Sequence, residues 1–275
     1  MNKYKMVKKS LTILILCFAA FICLTPFLWM ISGSFKSFIE FYRFPPSLIP
    51  DFFHLQNYRD ALTLVPLVRF IMNSIFLAAV VTACQVITSS MSGFALATME
   101  FKGRDVIFLT FLSGLMIPFQ VILIPLFMII THLGLVNTYW ALILPFVFTP
   151  FGVFLTRQFF KSIPKDLFEA GKIDGASDFR VFISIYLPLS TPVVSALSIL
   201  CFIFFYNNLL WPMIVIRTQS LQTVSLGLMS FVGRDIAYPH IVMAGATICI
   251  IPTLLVFLCL QKYFIRGITM SGIKG

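Results

Sequence analysis

Six runs of almost uninterrupted apolar residues divide the chain: 11–32, 70–98, 106–130, 139–155, 193–216 and 241–260. A bilayer crossing takes about 20 such residues, so the pattern predicts an all-α membrane protein with six spanning helices in one domain over residues 1–275. Between the fourth and fifth runs the pattern changes. The segment "SIPKDLFEAGKIDGASDFRVFISIYLPLSTP" is mixed and helical in its spacing. Pro164 suits a first helical position, Asp166 and Glu169 suit the positive end of a helix dipole, and Gly175 suits a stop. This predicts a helix over 164–174. Ser177 then caps a second helix in which Phe179, Phe182, Ile183 and Tyr186 recur at helical spacing, until Pro188 ends it. In the first helix Leu167, Ala170, Gly171 and Asp174 share one stripe. A glycine inside a helix costs about 1 kcal/mol relative to alanine, so the stripe reads either as a face closely approached by another surface or as a solvated loop helix.

Composition strengthens the membrane reading. The chain is 59% hydrophobic and 11% charged, against about 25% charged in ordinary soluble domains. The first apolar run follows Lys3, Lys5, Lys8 and Lys9. It is too long for the apolar core of a signal peptide and lacks a small-x-small cleavage site, which favours a retained span. Of the 20 Lys and Arg residues, 14 fall in the N-terminus, around residue 102, in 157–180 and in the C-terminal tail. The positive-inside rule then places both termini and the loop 157–190 in the cytoplasm, in a multi-pass protein of the cell membrane. The net charge of +10 is this bias itself, and membrane lipid rather than nucleic acid is the partner it indicates. Cys17, Cys23, Cys84, Cys201, Cys249 and Cys259 all lie in apolar runs, which predicts buried free thiols instead of a disulfide framework.

The chemistry in the runs is sparse. Their interiors hold no Asp, Glu, Lys, Arg or His, the groups that proton- and ion-coupled transporters keep there. The chain shows no phosphate-cradling loop, no catalytic constellation and no metal-ligand cluster. It therefore reads as a non-enzyme without a cofactor of its own, whose energy enters through another protein. Gln85, Ser89, Ser90, Ser92, Gln120, Asn207 and Asn208 supply uncharged polar groups. They can bond neighbouring helices or offer hydroxyl-matching contacts to a neutral polar solute. Pro118, Pro125, Pro145, Pro150, Pro212 and Pro252 lie in or near the runs, where kinks are tolerated against protein or water.

"EAGKIDGASDFRVFISIYLPLSTP" resembles the EAA motif, E-A-A-x-x-D-G-A followed by I-x-L-P, of membrane subunits in ATP-binding-cassette importers. Glu169, Ala170, Asp174, Gly175, Ala176, Ile185, Leu187 and Pro188 match, and Gly171 stands where the second alanine usually lies. "LQNYRDAL", "RFIMNSIFLA", "SGFALATMEFKGRD", "GLVNTYWALILP", "FLTRQFFKSIP" and "YNNLLWPMIV" are similar to stretches of the carbohydrate-importer permeases, and "QKYFIRGITMSGIKG" to the ending of the second, shorter maltose-type subunit. The resemblance implies the type I importer permease fold, with a cytoplasmic coupling helix between spans 4 and 5. That helix would dock on an ATPase through Glu169, Ala170, Gly171, Asp174, Gly175 and Ala176. Arg266 and Lys274 would contact the ATPase or anchor the tail at the membrane surface. The implied partners are a sister permease, two copies of an ATP-binding subunit carrying ATP and Mg2+, and an extracytoplasmic solute-binding protein. The implied cargo is a mono- or oligosaccharide, with Asn207 and Asn208 as candidates for its path. Another organic solute such as a glycerol phosphate, or a self-sufficient channel, are the alternatives.

Overall fold

The fold is described from a computed structural model covering residues 3–232 and 238–271. Among these residues there is no strand. The helices run α1 (Lys3–Ser34), α2 (Phe38–Phe41), α3 (Gln56–Leu64), α4 (Leu67–Thr98), α5 (Arg104–Gly114), α6 (Phe119–His132), α7 (Tyr139–Ile143) and α8 (Pro150–Phe160). They continue with α9 (Asp166–Ile173), α10 (Asp178–Val181), α11 (Leu187–Leu189), α12 (Thr191–Tyr206), α13 (Leu210–Val215), α14 (Val224–Val232) and α15 (Pro239–Ser271). A 3-10 turn at Leu144–Phe146 follows α7, and a π turn at Phe182–Tyr186 joins α10 to α11.

Three helices are long and apolar enough to cross a membrane as they stand: Lys8–Ser34 of α1, Leu67–Thr98 and Pro239–Lys262 of α15. Three further spans arise if each of three bent pairs counts as one: α5 with α6 at 98°, Tyr139–Phe146 with α8 at 41°, and Asp178–Leu189 with α12 at 77°. Proline accounts for each bend, because it lacks an N–H, clashes with the carbonyl four residues back and disfavours helix in the residue before it. Pro118 precedes α6, Pro145 and Pro150 bracket the second break, and Pro188 and Pro192 flank the third at Ser190. The apolar run 106–130 is thus two helices rather than one. The run 193–216 is also divided: α12 ends at Tyr206, and Leu210–Val215 forms a separate short helix.

The chain forms two compact units, one from residues up to Val68 with Leu228–Ile250, the other from Arg69–Gly227 with Ile251 onward. In the second unit α4 and α8 meet through two small-xxx-small pairs, Ser89 with Gly93 and Gly152 with Thr156. A Cβ on Gly93 would lie 2.2 Å from Thr156 Oγ1, and one on Gly152 2.2 Å from Ser89 Oγ, so only glycine permits this approach. Thr156 Oγ1 donates to Ser89 O at 2.8 Å, and Gln85 Nε2 to Phe146 O at 2.7 Å. Interhelical bonds of this kind are worth about 0.6–2 kcal/mol in membranes. Below them Arg157, 4% exposed, ties three helix ends together. Its Nε donates to Leu96 O at 3.1 Å, its guanidinium pairs with Asp105 at 3.3 Å, and it lies 3.7 Å from the Phe108 ring centroid.

In the first unit the apolar window of α1 is unburied throughout, and α3 is fastened to the end of α1. Asn57 Nδ2 donates to Ser34 O and Lys36 O at 2.9 and 2.8 Å, and Ser34 Oγ and Tyr58 OH lie 2.7 Å apart. None of the six cysteines, all among the described residues, forms a disulfide. Their predicted burial holds for Cys201 and Cys249, whereas Cys17, Cys23 and Cys259 lie on exposed faces of apolar helices.

Candidate functional site

The charged segment after α8 folds as a short helix braced from behind. The helix α9 starts at Asp166 rather than Pro164, with Lys165 in the flanking position. Its end is a Schellman motif: Gly175 N donates to Lys172 O and Ala176 N to Gly171 O, both at 3.0 Å. Gly175 takes φ +76° there, a conformation that glycine adopts without the steric cost of a Cβ. Ser177 Oγ accepts from Arg180 N at 3.3 Å and so caps α10, and Lys172 Nζ pairs with Asp178 at 3.0 Å across the turn. Pro188 does not end this second helix. The backbone widens into the π turn at Phe182–Tyr186 and resumes to Leu189. The widening makes room for a proline whose ring would otherwise press on the carbonyl of Ser184.

The inner face of α9 is Phe168 and Gly171. Phe168 packs against a core of Phe94, Phe160, Val181, Phe182 and Tyr186, which draws on the ends of α4 and α8 and on the π turn. Ring centroids in this cluster lie 6.2 Å apart for Phe94 and Phe168 and 5.0 Å for Phe94 and Tyr186. Gly171 is buried, and a Cβ there would come 2.8 Å from Val181 Cγ2 and 3.4 Å from Ile185 Cδ1. The close approach anticipated at Gly171 is therefore made by this chain's own α10 and π turn. The exposed ridge lies on the far side, at Asp166, Glu169, Ala170 and Ile173, spaced i, i+3, i+4 and i+7. Ile173 is 86% exposed. The Glu169 carboxylate makes no hydrogen bond or ion pair among the described residues. Asp174 and Gly175 are exposed beside the ridge, and Ala176 is half-buried. Sequence reasoning missed Asp166 and Ile173 as members of this face, because it centred the stripe about one residue away. The signal that locates the face is Phe168, the large apolar residue that must point inward. Beside α9 opens a cleft of about 940 Å3 whose walls include Glu100, Arg104, Lys161, Lys165 and Glu169.

Asn207 and Asn208 sit at the break between α12 and α13. Asn207 is exposed, with Nδ2 turned back to Ile203 O at 2.8 Å. Asn208 is half-buried, and its Oδ1 accepts from Trp211 N at 3.3 Å at the start of α13. Trp211 in turn donates to Ala141 O at 2.8 Å. Each asparagine thus makes one local hydrogen bond, and the two differ in exposure: Asn208 is half-buried while Asn207 faces outward. The side chain of Arg266 and all of Lys274 lie outside the described residues.

Residues 85–270 match the family described as "Binding-protein-dependent transport system inner membrane component". The chain belongs to this family. Similar proteins include the arabinooligosaccharides transport system permease protein AraQ of Halalkalibacterium halodurans, 38% identical over 94% of each chain. The sn-glycerol-3-phosphate transport system permease protein UgpE of Brucella abortus is 34% identical, over 93% of this chain and 94% of that one. Among solved structures, a bacterial ABC transporter involved in the import of the acidic polysaccharide alginate aligns with TM-score 0.83. It is 22% identical over 96% of this chain and 99% of that one, a likeness that establishes the fold. The protein is thus a multi-pass permease subunit of an ABC importer and not itself an enzyme.

Proposed function

We propose that this permease forms half of the translocation pathway for a carbohydrate, beside a sister permease. Two copies of a cytoplasmic ATP-binding subunit, which hold ATP and Mg2+, drive it through α9. The cargo arrives on an extracytoplasmic solute-binding protein, and both termini lie in the cytoplasm with the 157–190 loop. The observation that carries the reading is the outward ridge of α9, where the Glu169 carboxylate, without a hydrogen bond or ion pair among the described residues, stands beside the bare side chain of Ile173. A free carboxylate next to exposed apolar surface suits docking against a basic, partly apolar cleft. Phe168 and Gly171 brace the helix against the ends of α4 and α8 and the turn that leads into α12. Movement of the ATPases on nucleotide binding would therefore displace α9 and these helix ends as one body, tilting the spans between inward- and outward-open states.

Saccharide cargo is supported by the resemblance in sequence and by the names of AraQ and of the alginate importer. Asn207, exposed at a helix break, offers its carbonyl oxygen and the amide hydrogen not given to Ile203 O, both suited to hydroxyls. The likeness to UgpE favours a second cargo, a glycerol phosphate. Such a cargo calls for cations along the path, and the buried Arg157 is already engaged by Leu96, Asp105 and Phe108.

The test uses Glu169→Lys and Ile173→Asp, with ATPase co-purification in mild detergent and ATP-dependent uptake in proteoliposomes as readouts. Both variants should keep wild-type thermal stability while losing the bound ATPase and most uptake. Unaltered uptake by Glu169→Lys with no ATPase bound would identify a self-sufficient channel instead. Calorimetry on the solute-binding protein, with neutral sugars set against glycerol phosphate, decides the cargo.

A further inference from the structure

The last turn of α8 holds two buried side chains three residues apart, Arg157 and Phe160, which helical spacing places on one face. Phe160 belongs to the aromatic core under α9. Its ring centroid lies 6.2 Å from that of Phe94 and 5.7 Å from that of Tyr186, and Phe168 packs against the same core. Arg157 instead reaches α5, a helix outside that core. Its Nη2 donates to Asp105 Oδ1 in the first turn of α5 at 3.3 Å, and its Nε donates to Leu96 O in the last turn of α4 at 3.1 Å. Both contacts suit the helix ends they meet, an anion at the positive end of α5 and a cation at the negative end of α4. Apolar contacts also join α5 to its neighbours, with Phe108 clustered with Leu96 and Val153 and stacked on Phe154 at 6.4 Å. Such packing gains little drive where lipid tails are as apolar as the side chains, and it sets no fixed register. A guanidinium does set one, because its planar fork meets two acceptors in one orientation only. Its charge, once buried, is costly to leave unpaired.

We infer that Arg157 is a positioning residue of the transport cycle, one that locks α5 to the block of helix ends moving with α9. The inference rests on the proposed drive of α9 by an ATPase. Its consequence lies in α6, which follows α5 after the 98° bend. Phe119 at the start of α6 meets Phe146 and Trp211, with ring centroids 5.8 and 6.0 Å apart. It thus touches the turn ahead of α8 and the start of α13, just past the helix break at Asn207. With Arg157 in place, a displacement of α9 takes α5 with it and is delivered to the base of α6. Without it, the aromatic core still moves with α9, and α5 is free to lag.

The experiment measures the separation of α5 and α8 in the full chain with its co-purifying subunits, in bilayers. Spin labels are placed by Leu109→Cys on α5 and Lys161→Cys at the end of α8, both exposed positions, after the native cysteines are replaced by alanine. Distances are recorded without nucleotide and with ATP and vanadate, alongside the rate of ATP hydrolysis. With Arg157 present, the distance should be the same in both states. In Arg157→Met it should shift or broaden with nucleotide while hydrolysis continues, and Arg157→Lys, which keeps the charge without the fork, should fall between. A purely structural role would lower the unfolding midpoint and leave the distance independent of nucleotide, and that result overturns the inference. So does a distance that already changes with nucleotide when Arg157 is present. Should Arg157→Met fail to assemble, Arg157→Lys is read by the same criteria. Absence of ATP hydrolysis with Arg157 present refutes the ATPase drive itself and the inference with it, which separates the two failures.

Discussion

Gly171 gives the sharpest test of which way α9 faces. A side chain there would place Cβ 2.8 Å from Val181 Cγ2, about 1 Å inside the optimal carbon–carbon separation. For Gly171→Ala, overpacking of a close-packed site costs about 1–3 kcal/mol, and the gain in helix propensity returns about 1 kcal/mol. The net loss is then roughly 0–2 kcal/mol, small enough for α10 to yield and α9 to stay in place. Gly171→Val adds two methyl groups against Val181 and Ile185 and gives up much of the propensity gain, so the loss moves to about 3 kcal/mol or more. The assay measures the thermal unfolding midpoint of the detergent-solubilised permease together with ATPase co-purification. Alanine should lower the midpoint slightly and retain the ATPase. Valine should lower it markedly, with coupling lost as a consequence of displacing α9. A valine variant with an unchanged midpoint and no bound ATPase would refute the inward orientation and return Gly171 to the docking face.

Arg157→Met should destabilise the permease by about 2–4 kcal/mol. Leu96 O loses its donor at about 1–3 kcal/mol and the contact with Phe108 adds about 1 kcal/mol, while the exposed Asp105 contributes little; a thermal melt beside the wild type checks this. Asn208→Ala should cost about 1 kcal/mol through loss of its bond to Trp211 N, again read as a lower midpoint. Asn207→Ala should lower the midpoint less than Asn208→Ala, because Ile203 O keeps Asn207 N as a donor at 3.2 Å, and should lower sugar uptake at saturating binding protein. Equal effects from the two would remove the distinction drawn between them.

Much of α9 and its surroundings is legible in the chain. Gly175 has to follow the helix because its φ is positive, and Ser177 has to precede the next because α10 needs an acceptor for its first N–H groups. The facing of α9 is less legible. Leu167, Ala170, Gly171 and Asp174 satisfy the same periodicity as Asp166, Glu169, Ala170 and Ile173, and periodicity alone does not say which stripe turns toward the core. Phe168 decides it through a pocket built by Phe94, Phe160 and Tyr186, residues from distant parts of the sequence. Asn207 and Asn208 illustrate the same difficulty, since adjacent identical side chains acquire different surroundings only when the fold half-buries Asn208 against Trp211 and leaves Asn207 exposed.

By itself the sequence determined that the chain enters a membrane, that it is helical, and that a charged helix pair interrupts its apolar runs. Those properties depend on hydrophobicity and on local backbone preferences, which neighbouring residues express without help. Tertiary structure decided where the apolar runs bend, because a proline can kink, end or be absorbed into a π turn according to what packs around it. It also decided that the loop after α1 buries Lys36 and Glu40 while exposing Phe44. Partners eleven residues along the chain satisfy these groups, Ser47 O accepting from Lys36 and Asp51 N donating to Glu40, and burial is a property of the folded arrangement rather than of any residue type.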